Sequence, residues 1–151
     1  EQQYKNMVAK DLFLEHAQVF NHFYGTPKEH VETLLKKGKD VVCVIDWQGG
    51  INLMKKVKNQ NIVSVFILPP SMAILKRRLV NRSTDSQEVI NNRLSKAKNE
   101  ISKCKYYDYI VINDKLDQCA AQLKSILEAE RLKRVRKDIK CLLSAIEQDK
   151  N

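Results

Sequence analysis

Several features that would assign the 151-residue chain to a specialised class of protein are scarce or missing. No apolar run approaches the ~20 residues that a membrane-spanning helix needs, and the first residues show no secretory signal. Aromatic residues make up 7% of the chain, and no rings interleaved with basic residues form a platform for nucleic-acid bases. The lack of a long apolar run argues against a membrane protein, and the lack of an aromatic platform argues against a binder of single-stranded nucleic acid.

The cysteines are far apart and form no C-x-x-C pair, which argues against a zinc site and a redox-active dithiol. We therefore expect reduced, structural thiols and a cytoplasmic location. The four cysteines are Cys43, Cys104, Cys119 and Cys141.

Positive charge is in excess. The chain has 27 Lys and Arg residues against 18 Asp and Glu residues, which gives a net charge of +9. This balance indicates an anionic partner, either nucleic acid or a small molecule rich in phosphate. The length, with 43% apolar and 30% charged residues, predicts one globular domain or one domain with a small appended lobe.

Strands and helices alternate along the predicted secondary structure. Apolar runs at residues 41–45, 62–68 and 109–112, interrupted only by Ser64, are typical of strands covered on both faces. Residues 12–20 predict a further strand or a strand pair. This alternation predicts an α/β fold with a parallel sheet.

Capping signals and apolar periodicity place helices between these strands. Thr26 is the predicted N-cap of a helix that ends at Gly38, and Gly49-Gly50 is expected to form a turn before the next helix. Ser71 and Ser86 are predicted N-caps of two later helices. The predicted helices cover residues 1–10, 27–38, 51–58 and 71–79, a segment after residue 86, and the chain from about Leu116 onward.

Polar residues follow three of the predicted parallel strands. Asp46 follows the first, Pro69-Pro70-Ser71 follows the second, and Asn113-Asp114 follows the third. Ligands of such sheets bind beyond the carboxyl ends of the strands, so we expect a binding site there.

Arginines are concentrated in residues 76–100. Arg78 and Arg82 are four residues apart and share a helical face, and Arg93 lies on a second helix beyond a polar tip. The planar guanidinium donates two parallel hydrogen bonds to phosphate. The arginines are therefore either a phosphate clamp or the solvated surface of a helix pair.

Four stretches taken together resemble the guanylate kinase family, whose members phosphorylate GMP using ATP. The resemblance covers roughly residues 1–127 and implies a P-loop-kinase-like parallel sheet flanked by helices, with a small GMP-binding lobe and a helical lid. The stretches are FLEHAQVFNHFYGTP, VIDWQGG, FILPPSMAILKRRLVNRSTDSQEVINNRLSKAKNE and YDYIVINDKL.

The resemblance implies a GMP site built from four residues. The Glu15 carboxylate accepts hydrogen bonds from guanine, Thr26 contacts the base, Tyr24 contacts the phosphate, and Asp46 lies near the phosphates and their magnesium. Guanine offers N1–H and N2–H₂ as adjacent donors, and one carboxylate accepts both. Adenine lacks that donor pair and would leave Glu15 buried and unpaired.

The resemblance also implies an ATP site closed by the lid, residues 71–107. Arg78, Arg82 and Arg93 are the expected catalytic residues, because arginines stabilise the charge on a transferring phosphoryl group. Arg78 and Arg82 also contact ATP, and Asn113 lies beside adenine. The implied cofactor is Mg²⁺ carried with ATP, and no dedicated set of metal ligands is expected.

The chain departs from the family pattern in two places. Members often carry an acid where this chain has Val44. No glycine-rich phosphate loop of the form G-x-x-G-x-G-K is present, and the only Gly-Lys pair, Gly38-Lys39, lacks the preceding glycines. Because the sequence also begins without Met, we expect an N-terminally incomplete chain or a degenerate family member.

The predicted organisation has three parts. Residues 1–38 belong to the GMP-binding lobe, residues 39–130 form the α/β core with its lid, and residues 131–151 form a basic helical extension. The last predicted helix continues through residues 131–140, which hold six basic residues and one acid. That segment is either a solvated helix face or a contact with an anionic surface.

Two functions are consistent with these residues. The first is a guanylate kinase of purine metabolism, with GMP and ATP as partners and neither nucleic acid nor membrane, whose isolated 151-residue chain is inactive. The second is a non-catalytic, guanylate-kinase-like module that binds proteins, which fits the missing phosphate loop but has no use for the lid arginines. The oligomeric state stays open, with a homodimer among the alternatives.

Overall fold

The computed structural model describes residues 1–19, 22–57, 62–81 and 86–148. The chain divides into two compact units, residues 1–62 and 63–151. The three-part division predicted from the sequence stays a prediction.

The first unit is built on an antiparallel hairpin, in which β1 (Phe13–Val19) pairs with β2 (His22–Pro27). Strand β1 confirms the strand predicted over residues 12–20, whereas β2 is not among the predicted strands. Three helices accompany the hairpin: α1 (Gln2–Ala9), α2 (Lys28–Lys36) and α3 (Trp47–Lys56).

A bulge at the start of β1 turns Phe13 and Glu15 to opposite faces of the hairpin. Phe13 pairs with Pro27 and Glu15 pairs with Thr26, so Leu14 is an extra residue on β1. Such bulges redirect side chains. The Phe13 ring packs 5.5 Å from the ring of Tyr4 in α1, whereas Glu15 lies against α3.

Two predicted details of the helices in this unit are wrong. Thr26 is not an N-cap, because it lies in β2 and its hydroxyl donates to Glu15; Pro27 is the N-cap residue of α2. Gly49-Gly50 does not form a turn but lies within α3, which Asp46 caps. The predicted stop at Gly38 is confirmed, because Gly38 has a φ of 70°, a left-handed conformation that ends helices.

The strand predicted at residues 41–45 is also wrong. Residues 41–46 form no regular element, and Val42 and Val44 are 83% and 97% exposed. A strand needs ladder hydrogen bonds to a neighbour, and none of the described strands pairs with this segment. Apolar composition alone therefore does not make it a strand.

The second unit contains the parallel pair predicted from the sequence. Strand β3 (Val65–Leu68) pairs in parallel with β4 (Tyr109–Ile112). The predicted strand begins three residues too early, because β3 starts at Val65. Ser64 precedes β3, and its carbonyl oxygen accepts from the Tyr109 N–H of β4 at 3.0 Å, while its side chain bonds to Asp108. The Ser64 hydroxyl donates to Asp108 Oδ2 at 2.7 Å and accepts from the Asp108 N–H at 3.0 Å.

Two helices of the second unit begin at the predicted caps, Ser71 and Ser86. Ser71 Oγ accepts from the Ile74 N–H at 3.2 Å, and Ser86 Oγ accepts from the Val89 N–H at 3.3 Å. Within the described ranges, every helix is too short or too polar to cross a bilayer. The helices are α4 (Met72–Asn81), α5 (Gln87–Ile101), α6 (Leu116–Leu132) and α7 (Ile139–Gln148), with 3₁₀ turns at Ser102–Tyr106 and Arg134–Arg136.

The last predicted helix does not continue through residues 131–140, because α6 ends at Leu132. The chain there folds around Glu130, which is 5% exposed. Lys133 Nζ lies 2.6 Å from Glu130 Oε1, Arg136 Nη2 donates to Oε2 at 3.2 Å, and the Tyr109 hydroxyl donates to Oε1 at 2.6 Å. These contacts replace a continuous helix with a turn.

The Glu130 cluster predicts that the chain is sensitive to acid. Hydrogen bonds from Lys133, Tyr109 and Arg136 lower the pKa of Glu130 from 4.5 to about 2. Because the pKa of Glu130 is lower in the folded state than in the unfolded state, its carboxylate stabilises the fold fully above pH 4.5. This stabilisation is lost as the pH falls toward 2. We expect Glu130→Gln to lower the free energy of unfolding at pH 7 by about 1–3 kcal/mol. Near pH 2 the loss in free energy of unfolding should be smaller, and urea unfolding at both pH values measures it.

Glu128→Gln is the matched control, because the Glu128 carboxylate is 59% exposed and lies 3.7 Å from Lys124 Nζ. Exposed pairs contribute little, so this variant should unfold like the parent at both pH values. Equal stability of Glu130→Gln and the parent at pH 7 would contradict the assignment.

Candidate functional site

Glu15 and Thr26 form a buried polar pair in the hairpin of the first unit. Glu15 is 3% exposed, and the Thr26 hydroxyl donates to Glu15 Oε1 at 2.6 Å. A buried carboxylate is costly unless hydrogen bonds satisfy it. The Thr26 hydroxyl satisfies part of the hydrogen-bonding capacity of the Glu15 carboxylate and leaves lone pairs for other donors. The structure thus brings together two residues that are both predicted to contact the base.

Asp46 lies on the other side of Glu15, at the start of α3. Its Oδ1 accepts from the Gly49 N–H at 2.9 Å, and its Oδ2 accepts from Gln48 Nε2 at 3.2 Å. Gly49 is in direct contact with Glu15, because a Cβ there would overlap Glu15 Oε2. The capping role of Asp46 and the contact of Gly49 are both missed by sequence reasoning, which places these glycines in a turn.

Tyr24 shares a hairpin face with Glu15 and Thr26. It is two residues before Thr26 on β2, and it pairs with Ala17, two residues after Glu15 on β1. Alternate residues of a strand lie on one face, so the register places the phenol beside the acid and the threonine. Tyr24 is 55% exposed, which leaves its hydroxyl accessible to a ligand.

A cavity of about 210 Å³ opens beside Glu15. Its remaining lining residues are His16 of β1 and Asn52, Lys55 and Lys56 of α3. The cavity therefore combines one buried acid with an amide and two cations, a lining suited to a polar and anionic ligand. The α3 residues are not among the predicted site residues, since their approach to Glu15 depends on tertiary packing.

In the second unit, Arg78 and Asn113 are in direct contact. Arg78 Nη1 donates to the Asn113 carbonyl oxygen at 2.7 Å, and Nη2 donates to the Asp114 carbonyl oxygen at 3.1 Å. The Asn113 N–H donates in turn to the Leu68 carbonyl oxygen at the end of β3 at 2.8 Å. Arg78 therefore ties α4 to the carboxyl ends of both parallel strands, where ligands of such sheets bind.

Arg93 is half-buried in α5, which packs against α4. The structure thus places Arg78 and Arg93, the two described arginines among the predicted site residues, on neighbouring helices. Arg82 and the predicted polar tip at residues 83–85 lie outside the described residues. Among the described residues, no group of three or more His, Cys, Asp or Glu side chains could hold a metal ion.

A family model described as guanylate kinase matches residues 1–130. The guanylate kinase of Rickettsia prowazekii is 48% identical over 133 residues, which are 88% of this chain and 66% of that protein. The guanylate kinase of Zymomonas mobilis is 50% identical over 133 residues, which are 88% of this chain and 61% of that protein. The chain thus spans slightly less than two thirds of the length of these relatives.

Solved structures give the same family. The crystal structure of guanylate kinase from Anaplasma phagocytophilum superposes with a TM-score of 0.79 at 34% sequence identity. The match covers 95% of this chain and 69% of that chain. The α/β, P-loop-kinase-like fold expected from the sequence is confirmed by this similarity.

Proposed function

Because the chain belongs to the guanylate kinase family, we propose that it carries the GMP site and the lid of an enzyme that converts GMP to GDP with ATP. The observation that carries this proposal is the buried Glu15 carboxylate, held by Thr26 beside a polar cavity. A carboxylate in that position would be costly in a protein that offered it no donors. Guanine supplies two such donors, N1–H and N2–H₂.

Base selection follows from the free lone pairs of Glu15. Guanine N1–H and N2–H₂ donate to the carboxylate, while the Thr26 hydroxyl holds Oε1 in place. Adenine presents no such donor pair, so its binding would leave the buried acid partly unpaired. A site built to bond donors rejects ligands that lack them by large factors. Tyr24, on the same face, contacts the GMP phosphate.

The lid supplies positive charge for phosphoryl transfer. Arg78 and Arg93, with Arg82, stabilise the charge that spreads over the transferring phosphoryl oxygens. Asn113 lies beside adenine at the end of β4. No covalent nucleophile is required, because the GMP phosphate attacks ATP directly once both are positioned.

Magnesium belongs to the ATP substrate in this proposal. Mg²⁺ is commonly held by one or two carboxylates, substrate phosphates and water, not by a full protein cage. The described residues contain no larger acidic or histidine cluster, and Asp46 is the carboxylate beside the GMP site that fits a contact to the ion or its water. Bound Mg²⁺ would neutralise the phosphate charge.

The proposed kinase function also implies where the protein is located and which ligands it binds. We place the protein in the cytoplasm, with GMP and ATP as its ligands. The described cysteines form no disulfide with one another, and we propose that they are reduced. The alternative of a non-catalytic module is not favoured, because the relatives reported above are named as kinases.

The 151-residue chain on its own is expected to show no GMP-dependent release of ADP. No glycine-rich loop is present to cradle the ATP phosphates with backbone N–H groups. A chimera that joins the phosphate-loop segment of a relative to this chain should gain turnover, measured by a coupled assay for ADP.

The two proteins are compared at equal concentration, with AMP in place of GMP as the control substrate. Turnover by the chain alone would show a phosphate site that the sequence does not reveal. A folded chimera without GMP-dependent turnover would contradict the proposed kinase function.

A further inference from the structure

Gly49 is a poor residue for the helical position that it occupies. It is the third residue of α3 and is followed by a second glycine, and both are buried. Glycine destabilises a helix relative to alanine. A glycine pair in the first turn therefore points to a close approach by another group that leaves no room for a side chain.

That group is the Glu15 carboxylate. A Cβ on Gly49 would overlap Glu15 Oε2 and would lie 3.2 Å from Glu15 Cδ. Glu15 has little freedom to retreat, because it is 3% exposed and its Oε1 is held by the Thr26 hydroxyl at 2.6 Å. The missing side chain of Gly49 thus provides the space in which the carboxylate lies.

Gly49 also contacts the second carboxylate of the site. Its N–H donates to Asp46 Oδ1 at 2.9 Å, and a Cβ on Gly49 would lie 3.2 Å from the same oxygen. Both acids therefore meet the first turn of α3, where the helix dipole favours negative charge. Gly49 is the residue that lies between them.

We propose that Gly49 is a positioning residue that sets selectivity for guanine by fixing the Glu15 carboxylate. The inference rests on the proposed function, because it requires that the base of GMP meets Glu15. A methyl group at residue 49 would push the carboxylate away from the two guanine donors. Losing a hydrogen bond between a guanine donor and the charged carboxylate weakens binding by about tenfold or more.

The test uses GMP and IMP, since IMP keeps the N1–H of guanine but lacks the 2-amino group. Dissociation constants of the 151-residue chain are measured from amide shifts in NMR titrations. The parent should prefer GMP. Gly49→Ala should lose about tenfold or more in GMP affinity and bring the ratio of the GMP and IMP affinities close to one. An unchanged affinity and ratio in this variant would overturn the inference.

A double-mutant cycle separates positioning from a general effect on the helix. In a Glu15→Ala background, the volume beside residue 49 that the carboxylate fills is open. Adding Gly49→Ala to that background should leave nucleotide affinity unchanged. The double variant should also fold, even if Gly49→Ala alone does not. Equal losses from Gly49→Ala in both backgrounds would overturn the inference. A parent chain that binds neither nucleotide would instead overturn the proposed function, and this inference with it.

Discussion

Glu15→Ala is expected to abolish most of the preference for GMP over AMP. The carboxylate is buried and bonded to Thr26, so its free lone pairs are the groups that adenine would leave unpaired. Sites that bond a donor of the correct ligand discriminate by ~10⁴–10⁵. In the chimera that carries a phosphate loop, the ratio of kcat/KM for GMP to that for AMP should fall by several orders of magnitude.

Glu32→Ala is the charge-matched control for this measurement. Glu32 lies on α2 and is exposed, so its loss changes the net charge by the same amount without touching the Glu15 cavity. This control should keep the parent ratio. If Glu15→Ala also keeps it, Glu15 does not contact the base.

Arg93→Met is expected to lower kcat by ~10³ or more, the range reported for arginines that stabilise a transferring phosphoryl group. Methionine keeps most of the length of the side chain and removes its charge. The loss should fall on kcat and kcat/KM together, because the interaction forms mainly in the transition state. Steady-state kinetics of the chimera with GMP and ATP give both constants.

Arg77→Met is the matched control, because Arg77 is exposed on α4 and is not among the predicted site residues. It should retain the parent kcat. A loss confined to the KM for GMP in Arg93→Met would show that Arg93 binds substrate and does not stabilise the transition state.

Local chemistry predicted much of the second unit. Ser71 and Ser86 cap their helices as expected, since capping depends on a hydroxyl and the N–H groups three residues away. The parallel strands were recognisable because residues 65–68 and 109–112 are continuously apolar. The end of α6 was not recognisable from the sequence, because Lys133 and Arg136 turn back to Glu130 there. The same cluster includes Tyr109, which lies 21 residues before Glu130 in the chain.

The candidate site depended on tertiary packing that local patterns do not encode. Strict alternation would put Phe13 and Glu15 on one face, and the bulge at Leu14 separates them. Propensity predicts a turn at Gly49, whereas the contact with Glu15 explains why a helix contains glycine there. The segment from residue 41 to 46 has the composition of a strand, but composition cannot supply a pairing partner. The predictions for the site residues came from resemblance to a family and not from periodicity.

Recognition of guanine by Glu15 is tested most directly by an NMR titration of the 151-residue chain with GMP and with AMP at matched concentrations. We expect GMP to shift the backbone amide signals of Glu15, Thr26 and Gly49, the residues at the buried carboxylate, and AMP to leave them nearly unchanged. Binding should be weak, because no phosphate loop is present. Equal shifts with both nucleotides, or GMP shifts confined to residues away from Glu15, would contradict the claim that this carboxylate recognises guanine.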